Sequence, residues 1–364
     1  MRRDTPVTDT TTGSSTYAAA GVDIDAGDRA VELMKSKVRS TFRPEVVGDL
    51  GGFAGLVRLD TEKYRKPMLA SSTDGVGTKL VIARQMDIHD TVGVDLVAMV
   101  VDDLVVCGAE PLFLLDYIAC GAVEPEKISQ IVGGIADGCR WARCALVGGE
   151  TAEHPGVMGV DEYDLSATGV GVVESDDVLG PHLVKTGDVI IAMGSSGMHS
   201  NGYSLARHIL LENKGLGLET EVAEFGSQRT LGQELLTPTR IYARDCLTLI
   251  AETEVHALSH ITGGGIAGNV SRVLPSNVDA VVDRSTWIPQ PIFSYIAANG
   301  NVAQAEMERT FNMGIGMTAV VPAAEVDRAL AVLTAQKVPA WVCGEIVRGD
   351  GPSKVRMVGT HPTA

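Results

Sequence analysis

The chain has 364 residues, a hydrophobic share of 45% and a formal net charge of −16 at pH 7. This length favours two domains over one, and the acidic balance argues against a nucleic-acid partner or an anionic membrane surface. Residues 1–16 are polar and rich in threonine, so they are predicted to form a disordered tail rather than a secretory signal.

The cysteines and the longest apolar run exclude two further classes. None of the six cysteines has C-x-x-C spacing, and most lie in apolar runs, which predicts reduced, buried thiols in a cytoplasmic protein without a zinc site. The run Val92–Gly108 contains three aspartates, and these charges make a membrane span implausible.

The first helix is predicted from Asp25 or Asp28 to about Val38, with the aspartate as its N-cap. Lys35 lies near the end of this helix. On the residues alone, a solvated helix lysine is the preferred interpretation.

The segment Thr73–Lys79 reads Thr-Asp-Gly-Val-Gly-Thr-Lys and follows a run of strand length, Pro67–Ser72. Its two glycines allow a sharp turn and a close approach to a ligand. Asp74 could hold a hard cation, while successive backbone N–H groups and Lys79 could receive a phosphate. A plain turn with solvated charges explains this segment alone equally well.

An unusually apolar helix is predicted at about Thr91–Cys107. At 100° per residue, Asp95 and Asp102 share one side, whereas Asp103 falls on the stripe of bulky apolar residues. A carboxylate among core residues must be paired, hydrogen-bonded or bound to a metal. Asp103 is therefore a candidate metal ligand, with a buried aspartate that caps a backbone segment as the alternative.

The remaining part of the first half alternates strands and helices, and ends in a polar linker, Glu174–Lys185. A short strand at residues 145–147 is predicted to run into a second glycine turn with carboxylates, Gly148–Glu153. The pattern predicts an α/β or α+β fold with mixed sheets. The predicted domains are residues 17–175 and an α/β domain at residues 176–364.

The second half opens with a strand, Asp188–Met193, that runs into a loop rich in glycine and hydroxyl groups, Gly194–Gly202. A helix is predicted from about Tyr203, so the loop suits an oxyanion at a helix N-terminus. A long capped loop is the less favoured alternative, because His199 and Asn201 add nothing to a simple turn.

Two other activities have weak support. Gly263–Gly268 matches the dinucleotide pattern G-x-G-x-x-G after a strand, with Asp283 as the ribose-binding acid. This interpretation leaves the Asp74 and His199 segments unexplained. Ser195 and Ser196 lie near a histidine, but no G-x-S-x-G elbow is present, so a hydrolase is not favoured.

Eight ordered segments together resemble the phosphoribosylformylglycinamidine cyclo-ligase (AIR synthetase) family, and the likeness runs from about residue 17 to residue 346. The segments are Asp23–Gly27, Thr73–Leu80, Asp103–Leu104, Gly108–Leu112, Gly148–Glu153, Ser195–Leu205, Ile261–Gly265 and Asn312–Met317.

The resemblance implies two α/β domains and a homodimer whose N-terminal sheets join into a barrel. It also implies ATP-dependent ring closure of formylglycinamidine ribonucleotide in purine synthesis, with Mg²⁺ on Asp74 and Asp103. Lys35, Glu150, His199 and Asn201 are the implied catalytic residues. The implied ATP-binding residues are Asp74, Gly75, Gly77, Thr78, Lys79, Gly148, Gly149, Thr151, Ser196, Gly263, Gly264 and Gly265.

In that family pattern, Lys35 contacts the ATP phosphates and Glu150 supports the metal or the substrate. His199 and Asn201 face the formyl group or the transferring phosphoryl. Two residues depart from the pattern, because Asp102 stands where asparagine is expected and His154 where methionine is expected. Asp102 adds negative charge beside the implied metal ligand.

Overall fold

The computed structural model describes residues 21–362, so the predicted disordered tail, residues 1–16, lies outside the described residues. A four-stranded mixed sheet forms the first half, in the order β3-β6-β4-β5. Only β4 and β5 are parallel neighbours. The strands are β3 Pro67–Gly75, β4 Glu110–Cys120, β5 Ala145–Glu153 and β6 Tyr163–Glu174, and a short hairpin before them pairs β1 Val46–Val47 with β2 Leu56–Val57.

Helices cover one face of this sheet, which we call the inner face. A side chain in place of either Gly93 or Gly134 would collide with the facing helix. A Cβ added at Gly93 would lie 2.4 Å from Ile131 O, and one added at Gly134 would lie 1.8 Å from Asp90 O. The helices are α1 Ile24–Arg39, α2 Lys79–Met86, α3 Asp90–Val105 and α4 Pro125–Ala142. Gly93 lies on α3 and Gly134 on α4, so the two glycines let these helices pack closely.

No helix of the described residues covers the opposite face, which we call the outer face. Leu69, Leu115 and Tyr117 stand on it with 68%, 39% and 41% of their surface exposed. The outer face therefore exposes apolar side chains from two of its strands, β3 and β4.

The second half is built on a six-stranded sheet in the order β12-β9-β11-β7-β10-β8, in which only β12 and β9 pair in parallel. Its strands are β7 Val189–Gly194, β8 Ala257–His260, β9 Val278–Asp283, β10 Ile315–Val321, β11 Ala340–Arg348 and β12 Val355–Val358. Its helices are α5 Tyr203–Arg207, α6 Leu231–Leu235, α7 Ala243–Glu252, α8 Gly265–Val270, α9 Pro291–Gly300, α10 Gln304–Thr310 and α11 Val326–Ala335.

Two local predictions are corrected, and one helix is added. The N-cap of α1 is Asp23, whose side chain accepts from Ala26 N, instead of Asp25 or Asp28. The segment after the Asp74 turn is helical, which was not predicted. Gly148–Glu153 continues β5 as an extended edge strand instead of turning, because it pairs with β4 as far as residue 153.

Within residues 21–362, no helix is long and apolar enough to cross a membrane. The six cysteines are free thiols, and all but Cys107 are buried.

Candidate active site

Asp74 ends β3 on the inner face of the first sheet. Its Oδ1 accepts a hydrogen bond from Gly75 N at 2.7 Å. Burial raises the pKa of Asp74 above its usual value, and the charge of Asp103 adds to this shift. Gly77, at φ +72°, turns the chain into α2. The turn therefore presents a half-buried carboxylate next to a second acid.

Asp103 is the second acid, but the predicted reason for its importance is wrong. Its side chain is 42% exposed and not embedded in the core. The helix that carries it is buried on nearly every side, including at Asp95 and Asp102, so an apolar stripe does not distinguish the exposed Asp103 from these buried acids.

His260, at the end of β8, joins Asp103 across the two halves of the chain. Its Nδ1 lies 2.9 Å from Asp103 Oδ1. Burial alone would lower the pKa of His260, but the hydrogen bond to Asp103 and the charges of Asp102, Asp103 and Asp74 raise it above the usual value. The sequence analysis missed this residue, although it directly precedes the predicted glycine turn.

The two carboxylates fit Mg²⁺. Within the described residues there is no group of three or more His, Cys, Asp or Glu side chains that could enclose a metal. Mg²⁺ is commonly held by one or two carboxylates, with waters and substrate phosphates completing its shell. Asp74 and Asp103 supply such a pair, and their mutual repulsion favours a cation between them.

The ammonium of Lys79 is buried and paired within the protein, which corrects its predicted role in phosphate binding. Its side chain has 0% exposure, and its Nζ lies 2.8 Å from Asp95 Oδ2. The same ammonium donates to His199 O at 3.1 Å and Thr237 O at 2.7 Å. Asp95 in turn accepts from Thr239 N at 2.7 Å. Lys79 therefore ties the Asp74 turn to the second half of the chain.

The loop between β7 and α5, residues 195–202, lies beside this ion pair. His199 is buried in a left-handed conformation at φ 62°, and its Nε2 accepts from Ser196 N at 3.1 Å. Asn312 stabilises the loop, because its Nδ2 donates a hydrogen bond to Gly197 O at 2.9 Å. Asn201 Oδ1 accepts from Gly263 N at 3.1 Å. The loop thus meets the glycine turn that follows His260.

The serines of this loop are not arranged for nucleophilic catalysis. Ser196 Oγ donates to Pro238 O at 2.6 Å, and Ser195 Oγ donates to Gly197 O at 2.9 Å. Neither hydroxyl donates to an imidazole. The hydrolase alternative has no geometric support.

The glycine turn does not belong to a dinucleotide fold. β8 is an edge strand that pairs only with β10, and it is antiparallel to it. β9, which ends at Asp283, lies on the far side of β10, β7 and β11. A dinucleotide site requires parallel strands joined by a crossover helix, so the Rossmann interpretation fails. Gly263 and Gly264 are exposed beside Asn201, whereas Gly265 is buried.

Several predicted site residues lie apart from Asp74, Asp103 and His260, which we call the centre of the site. Asp74 pairs with Ala167, Ala167 with Asp116, and Asp116 with Gly149. Gly149 is therefore three strands away, at about 14 Å. Glu150 stands opposite Tyr117 and so shares the outer face. The neighbouring Gly148 and Thr151 belong to the same edge strand.

Lys35 and Thr78 differ in their placement. Lys35 forms a 2.8 Å ion pair with Glu32 on α1 and contacts none of the residues around Asp74. Thr78 is exposed at the start of α2, and its Oγ1 lies 3.1 Å from Ser204 Oγ. Thr78 therefore contacts the start of α5, directly after the loop that carries His199.

Two family models match the chain: the N-terminal domain of AIR synthase related proteins at residues 51–173, and the C-terminal domain at residues 185–355. Proteins named phosphoribosylformylglycinamidine cyclo-ligase from Syntrophotalea carbinolica and Carboxydothermus hydrogenoformans are 50% and 52% identical to it. These matches cover 94% and 92% of this chain, and 98% and 97% of the relatives. The chain belongs to the phosphoribosylformylglycinamidine cyclo-ligase family.

The predicted family and the predicted enzyme class, a ligase, are confirmed by these relatives. Solved structures confirm the predicted two-domain α/β fold of the cyclo-ligase family. The thiamine-monophosphate kinase of Stenotrophomonas maltophilia has a TM-score of 0.67 at 21% identity, covering 91% of this chain and 97% of its own. The hydrogenase maturation protein HypE in complex with ATP has a TM-score of 0.65 at 19% identity, covering 94% and 93%. At these identities the likeness concerns the fold alone.

Asp102 is the departure from the cyclo-ligase pattern that lies nearest the centre. It is fully buried, and its Oδ1 accepts from Tyr242 N at 2.8 Å. Burial raises the pKa of Asp102 to about 7. The second departure, His154, follows β5 and lies 3.2 Å from Tyr117 Oη through its Nε2. His154 therefore lies at the edge of the first sheet, next to a side chain of the outer face.

Proposed function

We propose that this protein closes the imidazole ring of 5-aminoimidazole ribonucleotide from formylglycinamidine ribonucleotide, with ATP as the co-substrate, in purine biosynthesis. One observation carries the proposal: Asp74 and Asp103 form a pair of carboxylates beside His260, where the two halves of the chain join, and Lys79 of the same turn contacts the His199 loop. Relatives of the same name at about half identity support the choice of substrate.

The reaction needs activation of a poor leaving group. The formyl oxygen attacks the γ-phosphorus of ATP and the bond to ADP breaks. The amide nitrogen loses its proton, so that the amide becomes an iminophosphate. The amidine nitrogen then attacks the activated carbon, and phosphate leaves with the former formyl oxygen while the nitrogen loses a proton. Such chemistry asks the protein for positioning and electrostatic stabilisation rather than a covalent nucleophile.

The residues at the centre divide this work. Asp74 and Asp103 would hold Mg²⁺, which supplies positive charge to the β- and γ-phosphates. His260 orients Asp103 through its 2.9 Å hydrogen bond. The exposed backbone of Gly264 is available to a phosphate oxygen, whereas the N–H of Gly263 already donates to Asn201 Oδ1. His199 and Asn201 lie on the loop after β7, which contacts Lys79 and the Gly263 turn.

Further expectations belong to the same proposal. Gly75, Gly77, Thr78 and Ser196 bind ATP at the two turns, and Lys35 reaches its phosphates. The ATP- and metal-binding domain spans residues 17–175, the second domain spans residues 176–364, and the protein acts in the cytoplasm. Two copies pair through their outer faces to form a barrel, and Gly148, Gly149, Glu150 and Thr151 lie at the edge of that interface.

Isotope transfer tests the reaction. Substrate labelled with ¹⁸O at the formyl group should yield inorganic phosphate that carries one labelled oxygen, with one ADP for each imidazole formed. An enzyme that only hydrolyses ATP takes the phosphate oxygen from water. Label in water instead of phosphate contradicts the proposed route.

A further inference from the structure

The ring of His199 has a fixed donor and acceptor side. Ser196 N approaches its Nε2 at 3.1 Å. A backbone N–H can only donate, so Nε2 carries the lone pair and the proton of the neutral ring is on Nδ1. Nδ1 is buried and has no hydrogen-bond partner among the described residues. His199 therefore presents an unused donor.

The environment keeps this ring neutral. Burial lowers the pKa of His199 well below its usual value, and the charges of His260, Lys79 and Arg240 lower it further. Nε2 is already occupied by Ser196 N. The ring is therefore poorly suited to accept a proton from a substrate.

Asn201 repeats the arrangement two residues later. Gly263 N donates to its Oδ1 at 3.1 Å, which leaves the amino group as the free end of the amide. Asn201 Nδ2 is buried without a partner, as is Ser200 Oγ between the two residues. In both His199 and Asn201, a backbone N–H donates to the acceptor atom of the side chain, Nε2 or Oδ1, and the donor atom, Nδ1 or Nδ2, has no partner among the described residues.

We infer that His199, as a neutral Nδ1–H imidazole, and Asn201, through its amino group, donate hydrogen bonds to one oxyanion, and that His199 is not a general base. The inference rests on the proposed function, in which that oxyanion is the transferring phosphoryl group or the amide oxygen that receives it. Buried donors without partners destabilise a fold, and a bound oxyanion satisfies them. Fixed donors aimed at developing charge are an effective way to lower a reaction barrier.

Two substitutions of His199 separate the donor from the base. Asn places its amide nitrogen near the position of Nδ1 and tolerates the left-handed backbone. Gln instead reaches the position of Nε2, where its oxygen can accept from Ser196 N. We expect His199→Asn to retain kcat within about tenfold, and His199→Gln to lower kcat by about 10²–10³, as for the loss of one oxyanion donor. Equal, severe losses in both variants would overturn the inference, because neither amide can act as a base.

Asn201→Asp provides the matched test on the second donor. The aspartate keeps the acceptor for Gly263 N but replaces the free amino group with a repelling oxygen. It should be at least as slow as His199→Gln while its melting temperature stays within a few degrees of that of the native chain. Unchanged kcat in folded Asn201→Asp contradicts a donor role for Asn201.

The tautomer can be observed without substrate. In protein labelled with ¹⁵N-histidine, the His199 signals, assigned by their absence in His199→Asn, should indicate a protonated Nδ1 and a bare Nε2 from about pH 6 to 8. A protonated Nε2, or titration within this range, overturns the inference. If the native chain forms no imidazole product, the proposed function fails, and the tautomer is still decided.

Discussion

At the scale of single residues, Asp74 and Asp103 provide the clearest test of the metal site. Asp74→Asn and Asp103→Asn should each lower kcat by a factor of about a thousand, since loss of a charged Mg²⁺ ligand removes several kcal/mol of transition-state stabilisation. Asp137→Asn on the surface of α4 is the control. Steady-state turnover at saturating Mg²⁺ is the measurement, and near-native turnover of Asp103→Asn would reduce this residue to a partner of His260.

Glu110 provides a prediction about stability. Burial alone would raise the pKa of Glu110, but hydrogen bonds from Lys63, Tyr64 and Arg43 lower it to about 2. A lowered pKa stabilises the fold above the pKa of the unfolded chain, and this contribution is lost as the pH falls towards 2. Glu110→Gln should lower the free energy of unfolding by about 1–3 kcal/mol at neutral pH, and by progressively less from about pH 5 to pH 2.

Urea unfolding over this pH range measures the effect. Glu126→Gln removes a carboxylate from an exposed pair with Arg29, so it should change stability little at any pH. A pH-independent loss in Glu110→Gln would mean that packing, and not charge, accounts for its effect.

At the scale of elements, the buried ion pair between α2 and α3 supports the loop after β7. Lys79→Met leaves Asp95 buried without its partner, which should cost about 3–5 kcal/mol of folding free energy. The double variant Lys79→Met/Asp95→Asn should recover part of this loss, since the unpaired charge is gone. Comparison of urea unfolding for the two single variants and the double variant measures the coupling. Strict additivity would contradict a direct interaction.

At the scale of the whole molecule, the outer face of the first sheet is the predicted dimer interface. Leu115→Arg places a charge at its centre and should convert a dimer into monomers in sedimentation experiments, because a charge buried in an apolar interface is unfavourable. Val157→Arg, at a loop residue that is 79% exposed, should leave the assembly unchanged. A dimer that survives the Leu115 substitution would exclude this face as the interface.

The sequence located the turns of the site better than the individual contacts within it. Glycine-rich segments after strands are visible in a sequence because backbone geometry demands them, so the Asp74, His199 and Gly263 turns were found. Burial depends on neighbours that are distant in the chain. For this reason the sequence does not show that Lys79 binds Asp95 and two carbonyl groups instead of a phosphate. Nor does it show that Asp103 is exposed and hydrogen-bonded to His260.

The locked orientation of His199 and Asn201 limits the design of inhibitors. Both side chains have committed their acceptor atoms to backbone N–H groups of the protein itself. A compound that binds next to these two side chains gains affinity from hydrogen-bond acceptors such as phosphonate, sulfonate or carbonyl oxygens. An amine or amidine directed at the same two side chains would place its own N–H donors against the donors of His199 and Asn201. It would lose its hydrogen bonds to water and gain none from the protein.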